Sequence, residues 1–239
     1  MKNLIKGIVL VCMLFASTTA KSQVLISLIF GEALNTPKIE FGLVGGMNRS
    51  YILDIEGSKG LNTFNIGFYF HIKLNEAQSS FLSTGVLVKS NVGASGMPTY
   101  PLNNQDFDTL YENGELTKKV GYFQVPIMYQ YRLKQRWYFE GGFQLGLRHK
   151  AYDIFSEEAF DGDLSFTKNV NDKYTRIDAG LIGGIGFKLK KQLKSTAIGV
   201  NYYYGLVNVS KTDVEIKNSS IYFYVKIPIG AGKKDADSK

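Results

Sequence analysis

The stretch 121–148, GYFQVPIMYQYRLKQRWYFEGGFQLGLR, limits what this chain can fold into more than any other. It reads as two strands joined by the short turn Lys134-Gln135-Arg136. On the first strand Phe123, Val125, Ile127, Tyr129, Tyr131 and Leu133 share a face, opposite Gln124, Met128, Gln130 and Arg132. On the second, Trp137, Phe139, Phe143, Leu145 and Leu147 alternate with Tyr138, Glu140, Gly142, Gln144, Gly146 and Arg148. Side chains of a strand alternate between its two faces, so each segment has one greasy face and one polar or small face. Soluble strands usually run about five or six residues. A strand crossing an outer membrane needs about 9–11, and both halves of this hairpin reach that length.

The same unit recurs along the chain. Period-two segments cover 39–48, 64–74, 80–91, 121–133, 137–148, 174–189, 195–207 and 219–229. The cleanest is the second, where Phe64, Ile66, Phe68, Phe70, Ile72 and Leu74 alternate without a break against Asn65, Gly67, Tyr69, His71 and Lys73. The connections alternate between long and short, as in bacterial outer-membrane barrels with periplasmic turns and larger outer loops. The fold expected is therefore all-β: an eight-stranded antiparallel up-and-down transmembrane β-barrel. Unpaired backbone groups in hydrocarbon cost several kcal/mol each, so the first strand must close onto the last. A soluble eight-stranded barrel of lipocalin type is the competing fold. It would place the long aromatics inside and the charges outside.

The N-terminus has the parts of a secretion signal: Lys2 and Lys6, an apolar core from Ile8 to Phe15, and small residues at Thr18, Thr19 and Ala20. Cleavage after Ala20 or after Ser22 both fit. The organisation expected is a signal peptide over 1–22, a periplasmic segment over 23–38, the barrel over 39–230 and a charged tail over 231–239. Cys12 is the one cysteine and lies in the signal core, so the mature chain has neither a disulfide nor thiolate chemistry. The formal net charge of +7 is spread over strand ends and turns, and an exported chain is not expected to bind nucleic acid. The partners expected are outer-membrane lipid, the outer-membrane assembly machinery, and a periplasmic or secretion partner.

Four stretches carry a family likeness: Phe30-Gly31-x-x-Leu34-Asn35; Glu40-Phe41-Gly42-Leu43-x-Gly45-Gly46-x-Asn48; Tyr122-Phe123-Gln124-Val125-Pro126-Ile127; and Tyr202-Tyr203-Tyr204-Gly205-Leu206-Val207-Asn208. In order and spacing they resemble the PorT-like outer-membrane β-barrel family of Gram-negative bacteria, over about residues 30–229. The resemblance implies a small barrel in the outer membrane; the founding type is implicated in protein secretion. It implies no specific task. The chain departs from many such barrels by running on past Ile229 instead of ending on an aromatic residue.

Eight strands leave an interior just wide enough for side chains, and charges there must be paired. The lumen network expected comprises Glu40, His71, Lys89, Arg132, Glu140, Arg148, Arg176, Asp178 and Lys226. The pairings expected are Glu40 with Lys226, Arg148 with Asp178, and Glu140 with Arg132. Neither a catalytic group nor a cofactor is expected. With two histidines, His71 and His149, and no GxSxG serine, a hydrolase has little to build on. Ser165-Phe-Thr-Lys168 fits SxxK without its companion motifs. Asp161-Gly-Asp163 with Glu157 and Glu158 is acidic enough for calcium but lacks the loop pattern, so no metal site is assigned. The role expected is a structural or interaction barrel supporting secretion or envelope integrity; the alternative is a narrow passive channel.

Overall fold

The computed structural model describes residues 36–229, apart from 54, 56, 135, 160, 161, 193, 213 and 214. The expected signal peptide with Cys12, most of the expected 23–38 periplasmic segment and the 231–239 tail lie outside the described residues. Nine antiparallel strands follow in order: β1 (Ile39–Leu53), β2 (Lys59–Lys73), β3 (Ser80–Pro98), β4 (Glu115–Leu133), β5 (Trp137–Ala159), β6 (Gly162–Asn169), β7 (Ile177–Lys188), β8 (Ala197–Gly205) and β9 (Lys217–Pro228). A one-and-a-half-turn helix, α1 (Gln105–Leu110), lies between β3 and β4.

Eight of these strands form a ring. β1 pairs with β2 on one side and β9 on the other, from Gly42↔Pro228 to Leu53↔Lys217. This is the closure that hydrocarbon demands of a sheet it surrounds. β5 pairs with β4 along its length, with β7 from Trp137 to Leu147, and with β6 from Tyr152 onward. β6 is thus an extra hairpin strand standing above the ring. The expected eight-stranded antiparallel barrel is the observed architecture. The short β2–β3 and β4–β5 connections lie at the same end as the start of β1 and the end of β9. Short turns face the periplasm in such barrels, which makes this the periplasmic end.

The greasy faces look outward. Ile127, Phe143, Leu145, Ile177, Ile198 and Phe223 are each 45–62% exposed, while Glu140 and Lys226 are 4% and 5% exposed. A water-soluble barrel would show the reverse. Side chains that would be a liability in water are what a lipid surround requires.

Several strands are longer than the periodicity suggests. β3, β4 and β5 run 19, 19 and 23 residues, against 12, 9 and 12 for β7, β8 and β9. One side of the wall therefore rises far above the other. Two β-bulges explain why the extension is hidden from a period-two reading. In β5 the register with β4 shifts between Gly121/Tyr122, so that Tyr122 faces Arg148 and Gly121 faces Lys150. A bulge adds one residue and exchanges the faces beyond it. Inward positions are Gln144 and Gly146 below it and Ala151, Asp153 and Phe155 above it. In β3 the register shifts between Leu87 and Ser90. Leu87 points in, Lys89 points out, and Ser90, Val92 and Ala94 point in. The residues expected to be long loops, 92–119 and 149–173, are in large part the upper halves of these strands.

Candidate functional site

The interior has two regions. The periplasmic half holds a charge network. Glu40, the second residue of β1, accepts a hydrogen bond from the Tyr69 hydroxyl at 2.8 Å. Its carboxylate is 3.5 Å from both Arg132 and His71 and 3.6 Å from Lys188. Arg132 lies over the Phe81 ring at 3.6 Å and reaches His71 Nδ1 at 2.9 Å. Glu140 sits one layer higher and accepts from Lys226 at 3.1 Å, Gln130 at 3.1 Å, Asn201 at 3.0 Å and Tyr224 at 2.8 Å. Lys226 is further enclosed by the rings of Tyr224, Tyr138 and Tyr69, at 4.8, 5.6 and 5.7 Å. Gly186 makes room for this packing, since a Cβ there would run into the Tyr138 ring. A buried charge needs both an opposite charge and hydrogen bonds to offset its lost hydration, and Glu140 has both.

Asp178 lies higher and apart from these cations. It is held by the Tyr203 hydroxyl and the Asn218 amide, each at 2.8 Å. Between the two levels are small spaces of about 30 and about 10 Å³. The smaller is bordered by Asn48, Asn65, Asn201 and Tyr222, whose side-chain oxygens lack a hydrogen-bond partner among the described residues. A space of this size takes one water molecule.

Above this level the interior becomes apolar. Ile52, Val92, Ala94, Met97, Tyr111, Leu116, Val120, Ala151, Phe155, Val170, Val209 and Ile216 pack into one core. The tall β3–β5 wall supplies most of it, and the β5–β7 and β8–β9 connections close it with Val170, Tyr174, Val209 and Ile216. The mouth of the barrel is thereby capped by a core of the kind that water-soluble domains have.

Six of the nine residues expected in the lumen are buried inside: Glu40, His71, Arg132, Glu140, Asp178 and Lys226. Their partners differ from those expected. Glu40 goes to Arg132 and Glu140 goes to Lys226, the exchange of the two expected pairs. In a barrel this narrow, long side chains reach across the axis and not only to the neighbouring strand. Lys89 and Arg176 do not lie in the lumen. The β3 bulge turns Lys89 outward, and Arg176 sits exposed in a bend just before β7. Arg148 is half-buried and binds the Thr175 carbonyl at 2.9 Å instead of Asp178. The alternation puts Lys188 on the inward face of its strand, but the expected network leaves it out. Tyr69, Tyr138 and Tyr224 lie on the inward faces that the alternation gives them, among the tyrosines and glutamines expected to fill the lumen beside the ion pairs.

The other motifs find no partners. His149 is exposed against Phe123, with ring centroids 4.8 Å apart. Ser165 and Lys168 lie three apart on β6, so they point to opposite faces. The side chains of Glu158, Asp161 and Asp163 lie outside the described residues, and with them the acidic-loop reading.

Among curated proteins none matches the chain. Solved structures with a similar course include Ail, the attachment invasion locus protein of Yersinia pestis, at 14% identity and TM-score 0.41, covering 79% of this chain and 97% of that one. Neisserial surface protein A matches at 8% identity and TM-score 0.38 over 79% and 96%. OprG from Pseudomonas aeruginosa matches at 14% and 0.28 over 80% and 91%. The family described as outer membrane protein beta-barrel domain matches residues 35–211, most of the chain. The chain belongs to that family of outer-membrane β-barrels of the Gram-negative envelope.

Proposed function

We propose that this protein is a closed barrel with a structural or interaction role, in which the membrane-embedded ring is an anchor and the outer extension makes the contacts. One observation carries the reading. The lumen is filled by paired charges and tyrosines below and by an apolar core above, with spaces for single waters between them. Passage of a solute would require breaking buried ion pairs, at about 3–5 kcal/mol for each partner removed.

On this reading the chain is exported with removal of the 1–22 signal, is inserted by the outer-membrane assembly machinery, and works without catalysis. Membership of the PorT-like branch, and with it support of secretion or envelope integrity through a periplasmic or secretion partner, is the finer form of the proposal. The basic periplasmic turns, with Lys134, Arg136, Lys190, Lys191 and Lys194, are the surface for such a partner. Refolded protein in planar bilayers tests the closed lumen. The expected record is a flat baseline; steady open events would replace this reading with the narrow passive channel.

A further inference from the structure

The outer extension contains a cavity of about 370 Å³, lined among others by Met97, Tyr100, Leu116, Lys118, Lys173 and Tyr174. Small-molecule sites start at about 300 Å³, so this one is large enough for a compact ligand. Its floor is apolar and its mouth is cationic. Three ammonium groups surround the single ring of Tyr100: Lys173 and Lys118 of the lining at 5.0 and 5.9 Å, and Lys168, just outside the lining, at 5.2 Å.

One carboxylate answers this charge directly. Asp153 is fully buried and accepts from Tyr100 at 2.8 Å and from Lys118 at 3.3 Å. Burial and this carboxylate hold the Tyr100 hydroxyl above its usual pKa, so it stays a donor and adds no negative charge. Asp172 also lies near Tyr100. Three cations thus stand against two anions. Among the described residues no carboxylate comes within 4.0 Å of the Lys168 or Lys173 ammonium. Asp54, Glu56 and Asp213 adjoin the lining residues Ile55 and Thr212 in sequence and lie outside the described residues.

A second observation points to a ligand. Tyr174 is 3% exposed, lines the same cavity, and its hydroxyl has no hydrogen-bond partner among the described residues. A buried hydroxyl left unpaired is costly, about 1–3 kcal/mol. It is a donor placed beside an apolar space, with no acceptor among the described residues.

We propose that this cavity binds an amphipathic anion, with a phosphate, sulfonate or carboxylate head at Lys168 and Lys173, an acceptor oxygen for the Tyr174 hydroxyl, and an aromatic or aliphatic body against Met97 and Leu116. The inference rests on the reading of the outer extension as the contact surface. It does not depend on whether the lumen conducts, so a conducting barrel that still binds would overturn only the closed-lumen reading. The head could belong to a soluble organic anion or to a lipid.

The test is calorimetry on the full chain in phosphatidylcholine nanodiscs, with empty discs as the blank and 2-naphthyl phosphate as the probe. Binding is expected, at least tenfold tighter than for neutral 2-naphthol or inorganic phosphate. Lys168→Gln/Lys173→Gln is expected to weaken it at least tenfold, and Leu116→Trp, which fills the floor, to do the same. Anionic lipid added to the discs separates the sources: a loss of probe affinity assigns the site to a lipid headgroup, and no change assigns it to a soluble anion. No binding by the wild type, equal binding of 2-naphthol, or full affinity in the double lysine variant would each overturn the proposal.

Discussion

The two halves of this barrel's interior obey opposite rules. Near the periplasm the inside is Glu40, Arg132, Glu140, Lys188 and Lys226 among tyrosines. Near the outer end it is Val92, Met97, Leu116, Val120 and Phe155. β4 contributes to both. Its lower part turns Val125, Ile127, Tyr129 and Tyr131 outward and Gln124, Gln130 and Arg132 inward; its upper part turns Glu115, Thr117 and Lys119 outward and Leu116 and Val120 inward. The outside decides the inside. Where lipid surrounds the wall, apolar side chains gain nothing by turning in, so polar ones fill the lumen. Where water surrounds it, burial of apolar surface is again favourable.

That contrast can be broken from either end. The largest effects are expected from Phe155→Ala in the cap and Glu140→Ala in the lumen, each costing about 3–5 kcal/mol for different reasons. The first opens a cavity at a residue with no exposure. The second strands Lys226 without its carboxylate. Urea unfolding of refolded protein measures both. Replacing the pair, as Glu140→Leu/Lys226→Met, separates the causes, because an apolar pair leaves no stranded charge. The double variant is expected to recover more than half of the loss; no recovery would mean that the ion pair is not what Glu140 contributes.

A smaller loss, about 1–3 kcal/mol, is expected from Gly186→Val, which drives a side chain into the Tyr138 ring. Its readout should include a weaker tie between Tyr138 and Tyr224, whose hydroxyls are 3.1 Å apart. The smallest effect is expected from Lys89→Leu, within about 0.5 kcal/mol, since Lys89 is exposed and outside the network. A loss near that of Glu140→Ala would return Lys89 to the lumen.

The lower barrel was legible because lipid imposes a strict alternation that survives in a single sequence, most clearly from Phe64 to Leu74. The upper barrel was not, and the reason is local. The bulges near Lys89 and His149 each insert one residue, so the alternation resumes with its faces exchanged and the strands seem to stop. Beyond them the inversion of polarity removes the greasy outer face that marked a strand. Lys89 was assigned inward for the first reason. The partners of Glu40 and Glu140 were exchanged because contact across the axis depends on stagger, which pattern alone does not encode. Lys188 falls on the inward face by alternation, but its contact with Glu40 also crosses between strands that do not pair, so the pattern leaves it out of the network.

The inversion along one strand is tested most directly by spin labels placed singly at 115–131 of β4, on a chain whose one native cysteine, Cys12, is replaced. Power saturation with oxygen and with a water-soluble nickel chelate reads lipid and water at each position. Positions 123, 125, 127, 129 and 131 are expected to see oxygen, 115, 117 and 119 the chelate, and 116, 120, 124 and 130 neither. Chelate access at 125, 127 and 129, with oxygen access at 124 and 130, would contradict the account.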